Sequence, residues 1–586
     1  MCVFLYTATI SYAIRFEDNK IGYETIGREM VVQVISAPST SDIVIPDIVY
    51  YDDKAYTVKA IKNNAFFENK ALRNVILPES VVSIGNKAFA NCKNLTSVQL
   101  PAHLESLGRN AFADCPSLST INTLGRITVI DNSTFLNCKS LGSVPLPESL
   151  ERIEDKAFYG CAIKNVSLPG SITKLGALAF ANCVLLEDIR MGSNLTTIGS
   201  QCFSNCMSLE NVRLSNRLTV IPENCFQDCS AIRNLTLPES LQRIERSAFL
   251  RCSSIIFLRI PANVTSIGDK FIDECSSMDS ISVEHGNSVY SSGSGMLLAH
   301  NGEKLVRCPE GKQISTVVPG SVREISAKAF EGCSQLQGIG MSPKVETIGE
   351  RAFAGCSSLK GMALPAGLKY LGEKAFFQCT SLEQVAFEDP ASDSKNPYFQ
   401  TYGEQVGLYD GLFIESILSL TFAECPKLQV VKLPSTIKSM ADDAFYDCKS
   451  LYEIHIRALN PPTIFKLSNA RTSRHITVVV MPHRGDLYKK ASGWNRYTIE
   501  ELVDLDEFIE SKQKEIDAQR AKEQAKQAKK EAKITKEEKK LMRNQRRNEK
   551  IAERAREKEE KAREKEKRAR EKAEKERQRL RANRKS

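Results

Sequence analysis

Residues 77–100, LPESVVSIGNKAFANCKNLTSVQL, contain one copy of a pattern that repeats along most of this 586-residue chain. Phe89 is followed three residues later by Cys92, and most copies keep both residues. The equivalent residues are Phe66, Phe89, Phe112, Phe135, Phe158, Phe180, Phe203, Phe226, Phe249, Ile272, Phe330, Phe353, Phe376, Phe422 and Phe445. Every uninterrupted step is 23 residues, except one of 22 between Phe158 and Phe180. A fixed period of this length predicts a solenoid, whose coils pack on their neighbours.

The residue pattern of each repeat predicts two short extended segments and one turn. Residues 95–100 alternate apolar and polar side chains, which is typical of a strand, and Pro101 ends it because proline has no amide hydrogen. Residues 81–85 form a second extended piece, and its terminal Gly85 is expected to take a positive φ at a corner. Residues 87–92 are too short for a stable helix and predict one α or 3₁₀ turn. Stacked coils then bury aligned columns of Phe, Leu, Ile and Cys.

These residues resemble the BspA-like branch of the leucine-rich repeats, whose unit reads LxxIxLPxxLxxIGxxAFxxC. The resemblance covers roughly residues 57–460. Local departures, such as Ile272 for Phe and Asp410-Gly411 for Leu-Pro, affect single corners. The resemblance implies a β-rich leucine-rich repeat solenoid of parallel short strands with one helical turn per repeat. It also implies a surface-exposed or secreted binding protein without enzymatic activity.

The cysteines follow the repeat. Fourteen of the 18 lie three residues after the Phe position. Stacked coils would place their Cβ atoms in parallel, which suits a disulfide poorly, and zinc sites favour paired spacings such as CxxC. We therefore predict small buried thiols with no bound metal or other cofactor.

The segments outside the repeats suggest caps and interruptions. Residues 14–56 are expected to form an N-terminal β cap, and residues 461–500, with Trp494 as a plug over the last core, a C-terminal cap. One insertion is expected near residues 284–318, where Asn301-Gly302 between apolar segments predicts a hairpin. A second break, residues 388–412, is either a loop or a decayed repeat.

Residues 1–13, MCVFLYTATISYA, resemble the apolar core of a secretory signal peptide, although the basic n-region is missing. A start codon placed too far downstream would explain that gap. The alternative is a buried first strand. If residues 1–13 are a signal peptide, we expect an exported or cell-surface protein. If they are a buried strand, we expect a cytoplasmic protein.

Residues 501–586 form a charged tail. Within it, residues 511–586 contain 31 Lys and Arg against 16 Asp and Glu, whereas the rest of the chain has a net charge of −6. Five Glu–Lys or Glu–Arg pairs have i,i+4 spacing, which supports a solvated single helix, with partial disorder as the alternative. The pairs are Glu557–Lys561, Glu559–Arg563, Glu564–Arg568, Glu566–Arg570 and Glu571–Lys575. Apolar a/d heptads are absent, so a coiled coil has little support.

No catalytic motif stands out, because the six histidines are scattered and no HExxH, Walker loop or G-x-S-x-G is present. We expect a non-enzymatic protein that binds a partner through the outward positions of its strands. Those positions in the middle coils form a sparse basic stripe with amides beside it, which predicts an acidic protein segment or glycan carboxylates as ligand. The alternative is a merely solvated face. The candidate residues are Arg190, Asn211, Arg213, Asn234, Thr236, Phe257 and Arg259.

Three functions are consistent with these features. The first is an exported adhesion or protein-binding scaffold. The second is an intracellular interaction protein whose basic tail binds nucleic acid or another polyanion. The third is a tail that attaches the solenoid to anionic envelope polymers. The sequence favours the first function, with the third as its means of display, and leaves the ligand and the oligomeric state open.

Overall fold

The computed structural model describes residues 13–27, 29–388, 413–464, 466–467, 476–481, 483–502 and 505–582. The predicted signal segment, apart from Ala13, lies outside the described residues. Residues 389–412 of the predicted second break also lie outside them.

The elements follow in chain order. The N-terminal strands are β1 (Arg15–Asp18), β2 (Ile21–Thr25), β3 (Val31–Ser36), β4 (Asp42–Val44), β5 (Ile48–Tyr51) and β6 (Lys54–Ile61). The first run of coils contains β7 (Asn74–Ile76), β8 (Ser83–Ile84), β9 (Ser97–Gln99), β10 (Ser106–Leu107), β11 (Thr120–Ile121), β12 (Val129–Ile130), β13 (Arg152–Ile153), β14 (Asn165–Ser167), β15 (Lys174–Leu175), β16 (Asp188–Arg190), β17 (Thr197–Ile198), β18 (Asn211–Arg213), β19 (Val220–Ile221), β20 (Arg243–Ile244), β21 (Phe257–Ile260), β22 (Ser266–Ile267) and β23 (Ser280–Val283).

The second half begins with β24 (Tyr290–Gly293), β25 (Met296–Ala299), a 3₁₀ turn (His300–Gly302) and β26 (Lys304–Arg307). Its coils contain β27 (Ile314–Val317), β28 (Glu324–Ile325), β29 (Leu336–Gly340), β30 (Thr347–Ile348), β31 (Gly361–Leu364), β32 (Tyr370–Leu371), β33 (Gln384–Phe387), β34 (Ser416–Ile417), β35 (Val430–Leu433), β36 (Ser439–Met440) and β37 (Glu453–Ile456). The chain closes with β38 (Thr477–Val480), α1 (Gly485–Lys490), β39 (Thr498–Glu501) and α2 (Leu505–Ala582).

The strands of the coils form two rows. The front row contains the strand that follows each cysteine, such as β9, and the back row contains the strand that precedes each Phe, such as β8. Neighbouring strands in both rows are parallel, and the register advances by one coil, so that β9 pairs with β7 and β8 with β6. The predicted solenoid of short parallel strands is therefore confirmed.

The Phe column forms a continuous stack of rings inside the coils. Successive rings from Phe66 to Phe249 have centroid distances between 4.6 and 5.8 Å. Ile272 occupies the Phe position in the next coil and is also buried. Burying each ring contributes about 1.5–3 kcal/mol, so the stack is a main source of stability beside the buried Leu, Ile, Val and Cys columns.

The cysteine column is buried beside the rings. Its thiols also form hydrogen bonds between coils, which the sequence pattern did not predict. All 17 described cysteines are buried and carry free thiols, which confirms the prediction of buried thiols. Cys206 donates its thiol hydrogen to the Phe180 carbonyl oxygen of the preceding coil at 3.2 Å. Cys115 and Cys229 make the same bond with Phe89 and Phe203 at 3.0 Å. The thiols therefore link successive coils as well as filling space.

The turn around each Phe differs in detail from a helical turn. Hydrogen bonds from Ala90 N to Lys87 O and from Cys92 N to Phe89 O have the i→i+3 spacing of a 3₁₀ turn. Lys87 and Asn91, however, have φ values of 55° and 61°. These two left-handed residues interrupt the helical path, so the segment is a series of linked turns.

The reason given for Gly85 was wrong. Gly85 has no positive φ, and a Cβ added to it would lie 2.5 Å from the backbone nitrogen of Asn63 in the preceding coil. Gly199 is in the same situation, with 2.3 Å to the nitrogen of Ala177. The glycine is therefore explained by the close approach of two coils.

The two halves of the solenoid meet at the hairpin predicted around Asn301-Gly302. β24 pairs with β25 and β25 with β26, both antiparallel, and β26 then joins the back row in parallel with β28. The N-terminal strands have the same arrangement, because β1, β2 and β3 are antiparallel and β3 is parallel to β6. The buried apolar residues form one cluster before this hairpin and another after it.

A buried ion cluster joins the two halves. Arg307 Nη2 lies 3.1 Å from Asp273 Oδ1 and 2.5 Å from Glu310 Oε1, and the side chains of Arg307 and Glu310 are 6% and 10% exposed. Glu310 also accepts a hydrogen bond from the Glu274 amide at 2.8 Å. A buried pair costs desolvation, so its clearest effect is to fix how the halves fit together.

The described coils on either side of the break at residues 388–412 are in direct contact. The rings of Phe376 and Phe422 stack at 5.4 Å, and β33 pairs directly with β35. The prediction of a loop or a decayed repeat falls on residues 389–412, which lie outside the described residues.

The end of the solenoid is closed by aromatic residues. Trp494 is fully buried in the second apolar cluster and donates its indole hydrogen to the Pro462 carbonyl oxygen at 2.7 Å. Tyr488 donates to the Ala458 carbonyl oxygen at 2.8 Å. The prediction that Trp494 plugs the last core is confirmed.

The chain divides into two compact units, Met1–Glu501 and Leu502–Ser586. The second unit contains α2, whose side chains at residues 551–577 are all exposed. Three of the predicted i,i+4 pairs are present, Glu559–Arg563, Glu564–Arg568 and Glu566–Arg570. Within the described ranges, none of the helices combines the length and the apolar content needed to cross a membrane.

Candidate partner-binding face

The seven candidate residues lie on one surface of the front row. Alternation along each strand directs Val212 into the core and leaves Asn211 and Arg213 exposed. β16 and β18 place Arg190 directly beside Arg213. In the following coils, Asn234 bridges to Phe257, and Thr236 and Arg259 are exposed. The fold therefore brings the predicted residues together over four consecutive coils.

Two of the three arginines have acidic partners within the protein. Arg190 Nε lies 3.4 Å from Asp188 Oδ1 in the same strand. Arg259 contacts Glu284 of the next coil and lies 4.0 Å from Glu239 of the preceding one. The stripe is therefore less basic than its sequence suggests, because these carboxylates neutralise most of it.

The carboxylates around Arg259 also interact with each other. A hydrogen bond with Glu284 raises the pKa of Glu239. The Glu284 side chain is only 13% exposed, whereas that of Glu239 is 65% exposed. Arg259 is therefore held in place by two acids, and its charge is the least available on this face.

Arg213 is the exception. It is exposed, and among the described residues no carboxylate oxygen lies within ion-pair distance of its guanidinium group. Its nearest neighbours on the strand surface are Arg190 and the uncharged Asn211 and Thr236. A planar guanidinium offers a fork of donors that matches a carboxylate. This residue is therefore the best-placed anion contact on the face.

Phe257 adds an apolar contact to the same surface. It is 45% exposed, although the equivalent positions in the coils on either side hold Asn234 and Ser280. Exposed aromatic residues and arginines are the side chains that most often dominate protein–protein binding energy. The face therefore combines an anion contact with an apolar anchor, which suits a protein partner.

Sequence reasoning missed the acids that neutralise Arg259. Glu239 lies in the corner before it, and Glu284 follows the last regular coil. The spacing of Asp188, two residues before Arg190 on one strand face, was visible in the sequence. No comparable signal identified Glu239 or Glu284, because their contacts depend on how three successive coils align.

The described residues show no grouping suited to a metal. No three His, Cys, Asp or Glu side chains among them converge on one point. Burial raises the pKa of the Cys183 thiol to about 12, so this thiol stays protonated near neutral pH.

A comparison with protein families matches the model described as "BspA type Leucine rich repeat region (6 copies)" to residues 59–187, 177–293, 310–406 and 408–472. The chain belongs to the BspA-type leucine-rich repeat family. The resemblance noted from the repeat motif is confirmed. Members of this family are typically non-enzymatic solenoids that bind protein partners.

Solved structures with the same repeat type are similar to this BspA-type chain. A leucine-rich repeat protein from Bacteroides ovatus has 22% identity and a TM-score of 0.50, over 83% of this chain and 99% of that one. A leucine-rich cell surface protein from Faecalibacterium prausnitzii has 23% identity and a TM-score of 0.35, over 75% and 94%. The pneumococcal vaccine antigen PcpA has 18% identity and a TM-score of 0.39, over 84% and 100%. The first of these shows the shared fold. A comparison with curated proteins found no match.

Proposed function

We propose that this BspA-type protein is an exported, cell-surface scaffold that binds a protein or glycan partner through the front-row face of its middle coils. The observation that carries the proposal is Arg213, an exposed cation without an acidic partner among the described residues. The exposed ring of Phe257 on the same face supports a partner that also offers an apolar group. The apolar segment 1–13 supports export, because it resembles a signal peptide.

The binding face is tested with two carboxylate-bearing probes on the full chain. Poly-glutamate represents acidic protein segments, and a carboxylated polysaccharide represents glycans. Arg213→Glu is expected to weaken one of them about tenfold, the scale of a charge-assisted contact. Arg217→Glu is the matched control, because Arg217 is also exposed but lies outside the candidate set. Equal binding by the two variants would mean that Arg213 has no role in anion binding.

Export is tested separately. Fractionated cells should contain the protein at the surface, with a mature N-terminus near Ile14 and with the solenoid reachable by protease on intact cells. A cytoplasmic protein that retains Met1 would exclude export while leaving the binding face untouched.

The exposed side chains of α2 at residues 551–577 favour a second role, contact with a polyanion. Such contact could attach the solenoid to anionic envelope polymers or bind nucleic acid inside the cell. In either case the affinity should fall steeply with salt, because each neutralised phosphate or carboxylate releases a counterion. Salt extraction from cell envelopes, with and without residues 511–586, distinguishes attachment through the tail from attachment through the solenoid.

A further inference from the structure

Five exposed apolar side chains lie along the turns that lead into the front row and at the start of β21. Each belongs to one of the coils between Phe180 and Phe249. We call this surface the apolar edge. Its members are Val184, Leu185, Met207, Ile256 and Phe257, each between 42% and 54% exposed.

The repeats provide an internal comparison for these positions. Any coil can have a single exposed apolar residue, but the neighbouring coils have polar residues at the same places. The residues equivalent to Met207 in the next two coils, and those equivalent to Ile256 and Phe257 in the coils on either side, are Ser230, Ser253, Arg233, Asn234, Asp279 and Ser280. Since the fold accepts polar residues at these positions, the apolar ones in this part of the solenoid are not required by packing.

The dimensions of the apolar edge suit a helix. From Val184 to Phe257 the chain advances three coils, at about 4.8 Å each, and shifts by four residues along the coil, at about 3.3 Å each. The resulting diagonal is about 20 Å. In an α-helix, apolar residues at i, i+4, i+7, i+11 and i+14 span about 21 Å along the axis. A helix of about four turns would therefore place an apolar stripe from Val184 to Phe257, and between Met207 and Ile256 it would pass over the polar Ser230 and Arg233.

An extended segment suits this surface less well. β16 is hydrogen-bonded to β14 and β18, and β21 is bonded to β23 and, through Phe257, to Asn234. β18 is the last strand of its sheet, but the next coil packs directly on the coil of β18, with the Phe203 and Phe226 ring centroids 5.4 Å apart, so a new strand has no room beside it. A bound extended segment would leave its backbone groups without partners, whereas a helix satisfies its own.

The charges beside the apolar edge indicate how such a helix would be placed. Arg233 lies next to Ile256 one coil earlier, and with Arg213 it is exposed without an ion pair among the described side chains. Glu187 and Glu210 are exposed at the same position in the two earlier coils. Acidic side chains in the partner therefore belong at its end over Arg233, because Glu187 and Glu210 would repel them at the other end.

A shallow groove of about 350 Å³ lies beside Met207 and provides room for a protruding side chain. Its wall includes Ser230, Asp228 and Arg251, and the last two are joined by a two-point ion pair. The groove and the apolar edge are continuous at Met207.

We propose that the apolar edge binds an amphipathic helix of a partner protein, with the acidic end of that helix over Arg233. The proposal rests on the proposed function, because it identifies the partner of the same face. It favours a protein over a glycan, since a glycan offers no stripe of apolar side chains at this spacing.

The test uses a fluorescent helical peptide of about sixteen residues, or about 24 Å of helix. Leucines occupy i, i+4, i+7, i+11 and i+14, Glu is confined to the last turns, and Ala and Gln fill the rest. Its binding to the full chain is measured by anisotropy. The variant Met207→Ser with Ile256→Ser should weaken binding about tenfold or more, because exposed apolar anchors dominate such contacts. Tyr370→Ser, at a side chain 48% exposed on the back row, is the matched control.

A second peptide with Lys in place of Glu should bind at least about tenfold more weakly, because its charges meet Arg233. The inference is overturned if the Glu peptide fails to bind, or if the double variant binds it as tightly as the native chain does. If Arg213→Glu still weakens poly-glutamate binding in that case, the proposed function stands and only the helix is wrong. If no variant affects either probe, both are wrong.

Discussion

At the scale of single residues, the fold depends on columns of equivalent residues, such as Phe203 and Cys206, that pack against the neighbouring coils. Phe203 lies between Phe180 and Phe226, with ring centroids 5.7 and 5.4 Å away. The neighbouring Cys206 thiol donates to the Phe180 carbonyl oxygen at 3.2 Å. Each side chain therefore stabilises two coil junctions at once, and its loss should be felt on both sides.

We expect Phe203→Ala to destabilise the solenoid by about 3–5 kcal/mol, the usual cost of emptying a buried aromatic site. Phe257→Ala makes the same chemical change at an exposed ring and should change stability by no more than about 0.5 kcal/mol. Denaturant unfolding of the two variants provides the measurement. Similar losses for both would show that the Phe column is not the core.

Because the buried thiols are hard to ionise, we expect the free energy of unfolding to fall at alkaline pH. An unfolded cysteine has a pKa of about 8.5, whereas burial raises that of Cys183 to about 12. The folded state therefore holds its proton over a range where the unfolded state releases it. This contribution is complete below about pH 8.5 and declines as the pH rises through the folded value.

We therefore expect the unfolding midpoint to be level from pH 7 to about 8.5 and to fall steadily above it. Replacing Cys183, Cys206 and Cys229 with Ala should reduce the slope above that pH, although it also lowers the starting stability. Denaturant titrations at several pH values measure both effects. A slope that is the same with and without these thiols would assign the alkaline loss to other groups.

At the scale of elements, the spacing between coils decides which residues are tolerated at corners. Gly199 lies so close to the preceding coil that an added Cβ would be 2.3 Å from the Ala177 nitrogen. Gly142 has open space around its missing Cβ and no positive φ. Close packing of two coils therefore requires glycine at position 199, whereas packing does not require it at position 142.

Gly199→Ala should destabilise the protein by about 1–3 kcal/mol, because the backbone of two coils must separate. Gly142→Ala should be neutral or stabilising by up to about 1 kcal/mol, since it only reduces the freedom of the unfolded chain. Thermal unfolding of both variants is the measurement. A tolerated Gly199→Ala would show that the coils are looser than their hydrogen bonds indicate.

At the scale of the whole molecule, the chain is a solenoid unit followed by a charged helical unit, Met1–Glu501 and Leu502–Ser586. The helix α2 has 78 residues, and its side chains at residues 551–577 are exposed. Ion pairs at i,i+4 contribute only about 0.2–0.5 kcal/mol each. The helix is therefore expected to melt gradually, whereas the solenoid has a buried core to unfold cooperatively.

Removing residues 511–586 should eliminate most of the helical signal in far-ultraviolet circular dichroism and leave the unfolding midpoint of the solenoid unchanged. Met1–Glu501 is a compact unit by itself, so we expect neither loss nor gain of its stability. A lowered midpoint in the shortened protein would contradict this independence. An unchanged helical signal would show that residues 511–586 are not helical in solution.

The family and the period of the solenoid were predictable because each coil repeats the same spacing of apolar, Phe and Cys residues. Fifteen copies of one spacing identify which side chains align, and Phe89, Cys92 and Val98 are buried as their positions required. The exposure of the candidate residues also follows from the sequence, since strand alternation decides which side chains point outward. These features depend on short-range patterns that the sequence displays directly.

What the tertiary structure alone decided are the relations between coils. It showed that Arg259 is held by Glu239 and Glu284 while Arg213 is left without an acid among the described residues. It showed that Gly85 is glycine because the backbone of the preceding coil lies close to it, and that Phe376 stacks on Phe422 across the break. Each of these depends on distances between residues far apart in the chain. The sequence determines the period at which coils repeat, but only their stacking determines which long side chains meet.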